Sequence, residues 1–116
     1  MSKEKVYDLE RRTYLFARDC RFFVMDLPKT ISNIEDGKQL IRSSGSVGAN
    51  YIEANEKLGD KDFKFRIKIS RKEAKESNYW LRLILDLNLN LKYKIDPLIQ
   101  ESSELKKILS AILLKS

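Results

Sequence analysis

From Leu9, the positions Thr13, Phe16, Cys20, Phe23 and Leu27 recur at alternating spacings of four and three residues, the repeat of one face of an α-helix. Asp8 is placed to cap the start and "LPKT" breaks the end, so the pattern predicts a helix over 8–27. Leu15, Phe22 and Met25 form a second apolar stripe on the same helix. One buried face cannot satisfy both stripes, and the surplus one predicts a contact with another subunit.

The same rhythm continues in Leu40, Ser44, Val47, Tyr51, Ala54 and Leu58, predicting a second helix over 32–58 that starts near Thr30 or Ser32 and stops at Gly59. The next segment is ambiguous. Phe63, Phe65, Ile67 and Ile69 alternate with period two, as in a half-buried strand, yet Phe63, Ile67, Ser70, Ala74, Ser77, Leu81 and Ile84 also make one helical stripe. No turn signal interrupts the run between Asp60 and Asp86, and strands average about five or six residues, so a helix over 60–88, capped by Asp60, is the better reading. "NLNLKYK" then reads as a link. Asp96 as cap and Pro97 at the first helical position open a last helix over 96–114, with Leu98, Leu105, Ile108, Leu109, Ile112 and Leu113 at helical spacing. Four helices with short links predict one all-α domain over 1–116, an antiparallel up-down-up-down four-helix bundle.

The stretch "RSSGSVGANY", from Arg42 to Tyr51, resembles a phosphate loop in its glycines and serines. It has neither the Gly-x-x-x-x-Gly-Lys of a nucleotide loop nor the Gly-x-Gly-x-x-Gly of a dinucleotide fold, and the helical period runs through it. Ser44, Gly45 and Gly48 are better read as helix-packing residues. With side chains this small a neighbouring helix can approach closely, at a propensity cost of about 1 kcal/mol per glycine.

Composition narrows the chemistry. The chain has no histidine and a single cysteine. That removes the histidine-dependent catalytic triads and zinc sites, and leaves no internal disulfide. Glu53, Glu56, Glu73 and Glu76 lie on the two central helices, but with lysines beside them and no histidine they read as solvated faces, not a metal cage. Cys20, on the apolar stripe, reads as a small buried hydrophobe. No cofactor, no metal and no paired nucleophile and base emerge, so the expectation is a protein that is not an enzyme. A charged N-terminus and the lack of any long apolar run predict a cytoplasmic protein with no membrane partner.

An excess of six positive charges directs attention to polyanions. Lys61, Lys64, Lys68, Arg71, Lys75 and Arg82 recur mostly three or four apart and therefore share one face of the third helix. Asp62 and Glu76 can pair with Arg66 and Lys72 at its margins, which keeps a merely solvated face in contention with binding of RNA or DNA, or of an acidic protein partner. Tyr79 and Trp80 end the row. An exposed aromatic there could stack on a base, whereas Trp80 reads as a core or subunit-interface residue.

Two blocks carry a family resemblance: "QLIRSSGSVGANYIEA" from Gln39 to Ala54, and "KDFKFRIKISRKEAKESNYWLRLI" from Lys61 to Ile84, with "DLERRTYLFA" and the apolar last helix in keeping. Together they make the chain similar to the four-helix-bundle proteins encoded in intervening sequences of bacterial large-subunit ribosomal RNA genes, often labelled ribosomal-protein-like. Related to these is the accessory protein of diversity-generating retroelements. The resemblance implies an antiparallel bundle that assembles into a homopentameric ring. For the retroelement relative it also implies binding of nucleic acid and a reverse transcriptase through a basic outer surface. Many relatives carry proline where this chain has Gly48, which implies that a distortion of the second helix is accepted there.

Overall fold

The repeats of four and three become four α-helices in the computed structural model, which describes residues 2–56 and 58–116, with side chains over 9–56 and 58–116. They are α1 (Ser2–Asp26), α2 (Ile31–Ala54), α3 (Asp60–Leu87) and α4 (Lys92–Lys115), with a short 3-10 turn, Leu89–Leu91, before the last. The molecule measures 44 × 23 × 20 Å. At a rise of about 1.5 Å per residue, α3 alone runs nearly that full length. Each helix packs on its neighbours in the chain, and α1 also meets α4. No helix among the described residues is long and apolar enough to cross a membrane.

The buried stripes match the sequence pattern. Leu9, Phe16, Cys20, Phe23 and Leu27 of α1 and its end join Leu40, Val47, Tyr51 and Ala54 of α2 in the core. Ile67, Ala74, Leu81 and Ile84 come from α3, and Ile95, Leu98, Leu105 and Leu109 from α4. The period-two stretch is helical: Ile67 is fully buried, while Phe65, two residues earlier, is 58% exposed. A strand would place both on one face, whereas a helix turns them roughly 200° apart.

The boundaries differ from expectation in ways that have physical causes. The first helix begins at Ser2, so Asp8 lies inside it, not at its cap. Thr30 does cap α2, its side chain accepting the Asn33 backbone N–H at 3.1 Å. That helix ends at Ala54, its last buried residue, and Leu58 is 80% exposed in the link instead of continuing the stripe. Gly59 does not stop α2 but stands at the N-cap of α3 with φ of 131°, which L side chains rarely adopt. Asp60 and Asp62 therefore occupy the first turn of α3, where carboxylates meet the positive end of the helix dipole. At the last helix, Ile95 sits one step before Leu98 in the buried stripe, and burying it draws the helix back to Lys92. Asp96 is consequently inside α4, paired with Lys92, and Pro97 falls within the helix instead of opening it.

Polar contacts set the register between the helices. Between α2 and α3, Ser70 Oγ donates to the Val47 carbonyl at 2.7 Å and the Ser43 and Ser77 hydroxyls meet at 2.8 Å. Between α1 and α4, Arg12 donates to both oxygens of Glu101, at 2.7 and 3.1 Å, and to Glu104 at 3.2 Å. At one end of the molecule, the buried amides of Asn33 and Asn88 exchange hydrogen bonds of 3.0 and 2.8 Å. Asn33 also donates to the Pro28 carbonyl, and Asn88 to that of Ile84.

Candidate nucleic-acid interface

The outer face of α3 carries the cationic row because its opposite face is committed to the core. Ile67, Ser70, Ala74, Ser77, Leu81 and Ile84 point inward. Lys68, Arg71, Lys75 and Arg82 each follow a member of that stripe and are turned from it by about 100°. Lys61, Lys64, Lys68, Lys75 and Arg82 are exposed and Arg71 is half-buried. From Lys61 to Arg82 the row extends roughly 30 Å along the helix. Among the described residues, none of these six side chains has an ion pair.

Three acids of α3 face cations outside the row. Asp62 lies 3.7 Å from Arg66. Glu76, expected beside Lys72, instead accepts from Arg42 of α2 at 3.1 Å. Glu73 is buried, with one oxygen 4.0 Å from Arg42 and the other without a hydrogen-bond partner among the described residues. Burial first, and the neighbouring Glu76 second, push its carboxyl above the ordinary glutamate range. Glu53 and Glu56 are exposed on and just beyond α2, and no group of three potential metal ligands forms among the described residues.

The cations do not lie on a plain convex surface. Lys68, Arg71, Lys72 and Lys75 of α3 face Lys106 and Ser110 of α4 across a groove of about 590 Å³. A second groove of about 360 Å³ adjoins it, bounded by Arg82, Asn78, Ser102 and Ser103. Lys75, Tyr79 and Lys106 line both. Tyr79 is 54% exposed and meets the Trp80 ring edge-on, at 5.1 Å between centroids. Among the described residues, Glu76 is the one acid on the groove walls.

The other singled-out residues lie away from this groove. Ser44 and Gly48 are buried and Gly45 is half-buried on α2. Both glycines look toward α1: a Cβ on Gly48 would stand 2.9 Å from Thr13 Oγ1, and one on Gly45 would stand 3.0 Å from the Arg21 guanidinium. On α1, Phe22 and Met25 are 56% and 72% exposed, and Leu15 is half-buried. Trp80 is partly buried against the core, with its indole N–H lacking a partner among the described residues. Cys20 is buried, and burial pushes its thiol up to about 12.

Sequence reasoning missed Lys106 and the polar trio Asn78, Ser102 and Ser103. The signal for Lys106 was present in "ELKKIL", where a lysine pair interrupts the apolar repeat of α4. Connecting it to α3 requires the rotation of the two helices about their axes, set by Asn78 donating to Ser102 and Ser103 at 3.0 and 3.2 Å.

A sequence model of the 23S rRNA-intervening sequence protein family matches residues 6–111. The chain belongs to that family. Among solved structures, this family member is similar to a protein of unknown function of the S23 ribosomal protein family from Bacteroides thetaiotaomicron, known from a crystal structure at 1.70 Å. The two are 26% identical, and the match covers 94% of this chain and 97% of that one with a TM-score of 0.82. No curated protein matches this chain.

Proposed function

We propose that this chain is a non-enzymatic, cytoplasmic, oligomeric bundle that binds RNA or another nucleic acid through the basic face of α3. The observation that carries the reading is the row Lys61, Lys64, Lys68, Arg71, Lys75 and Arg82, left without ion pairs among the described residues while Asp62, Glu73 and Glu76 face Arg66 and Arg42. Aligned cations repel one another, and a bound polyphosphate relieves that repulsion with release of its counterions.

The up-down-up-down arrangement is part of the proposal, supported by contacts whose numbers run in opposite senses on paired helices. Glu10 meets Asn55 and Val24 faces Gly37. Arg42 meets Glu76, and Asn50 meets Arg66. Arg12 meets Glu101, and Asp26 meets Lys94. Exposed Phe22 and Met25 support association of subunits through α1. The resemblance to the family supports five subunits in a ring, and a relation to the retroelement accessory protein.

Filter binding of a structured RNA across a salt series tests the function. Affinity should fall steeply with salt, and Lys64→Glu, Lys68→Glu and Arg71→Glu combined should lower it by roughly tenfold or more. Absence of binding at low salt, or a triple variant that binds as before, refutes the reading. A protein partner that co-purifies after nuclease treatment would instead favour an acidic protein, such as a polymerase, as the occupant of the basic face.

A further inference from the structure

We infer that the groove between α3 and α4 holds a single strand of RNA, extended along it, with one base laid against the ring of Tyr79. This rests on the nucleic-acid-binding reading above and adds which form of the polymer is taken and how.

Tyr79 occupies the junction of the two grooves, with Lys75 one turn before it, Arg82 one turn after it and Lys106 facing it from α4. Cations thus flank the ring on both sides along the strand direction and from across the groove. Its ring meets that of Trp80 edge-on, and more than half of its surface faces solvent. Base stacking on such a ring is independent of base identity, since every base has a π-face.

The polar side chains beside the ring add hydrogen-bonding capacity where a base edge would lie. Asn78 Nδ2 is engaged by Ser102 and Ser103, but its carbonyl oxygen accepts no hydrogen bond among the described residues. Width separates a strand from a duplex. Axes of packed helices lie roughly 8–10 Å apart, so the valley between them admits one sugar-phosphate chain with its bases turned inward. A duplex keeps its bases stacked inside and would rest on the rims, touching cations but not Tyr79.

Fluorescence anisotropy with a labelled oligouridine strand and an RNA duplex of equal length, at low salt, tests this. The strand should bind at least about tenfold tighter than the duplex. Tyr79→Ala should weaken strand binding by about 5- to 100-fold with an unchanged salt slope, while Tyr79→Phe binds like the parent. In the unmutated protein the strand should also quench the emission of Trp80, the sole tryptophan, because it touches Tyr79. Equal binding of duplex and strand, Tyr79→Ala at parental affinity, or Trp80 emission unmoved at saturation overturns the inference and leaves the basic-face reading intact. Failure of both RNAs to bind removes the two together.

Discussion

At Gly48 a methyl group would press on Thr13 of α1, 2.9 Å from Oγ1 and 3.2 Å from Cβ, and neither atom can swing away because Thr13 is itself fully buried. Gly48→Ala should therefore destabilise the protein by about 1–3 kcal/mol, and Gly48→Leu by more, read as a lower urea midpoint. Gly45 lies one turn earlier and meets only the end of the Arg21 side chain. Arg21 is exposed and can move, so Gly45→Ala should be neutral or stabilising by up to about 1 kcal/mol. The sequence grouped Gly45 and Gly48 with Ser44 as one packing element; which glycine has a rigid neighbour depends on the rotation of α1, which no spacing within α2 encodes. Cys20 gives a separate test. With its thiol pushed up to about 12 by burial, it should resist thiol reagents at neutral pH, and its labelling rate should follow the opening of the fold.

Between helices, the α2–α3 seam is held by serine hydroxyls and carries one buried carboxylate at a disadvantage. Glu73 faces Arg42 from α2 and has Lys72 and Glu76 near it on α3, yet one of its oxygens finds no donor among the described residues. A carboxyl raised in the folded state binds its proton more tightly there than in the unfolded chain. Its penalty is absent below the ordinary glutamate range and grows as pH rises through that range toward the folded value. Glu73→Gln should accordingly stabilise the protein at neutral pH, with the gain fading below about pH 4, measured as paired urea midpoints across pH. Gly59→Ala should destabilise as well, although no atom of the described residues lies within 4 Å, because φ of 131° strains any Cβ. The helices themselves were legible, since burial imposes the four-three period on Leu9 to Leu27 and on Ile67 to Ile84. Their ends were less so: Asp8, Asp60 and Asp96 all have cap chemistry, and packing of Ile95 and the backbone of Gly59 moved two of those three boundaries.

Taken whole, the molecule sets cations along the α3–α4 groove and leaves Phe22 and Met25 exposed on α1. The cationic half of the site was readable from spacing along α3 alone, but the groove needed Lys106, which belongs to another helix. If α1 forms the contact between subunits, Phe22→Glu with Met25→Glu should shift light scattering toward the monomer without lowering the melting temperature of the isolated bundle. The amide pair of Asn33 and Asn88 ties the start of α2 to the end of α3, some 55 residues apart in sequence. Replacing either alone leaves its partner's amide buried with bonds unmade, a loss of about 1–3 kcal/mol, whereas replacing both by apolar residues of like shape removes the debt at both ends. Any descendant of this chain that drifts at one of these positions is thereby pushed to change the other, and intermediates holding only one change are the ones purifying selection should remove.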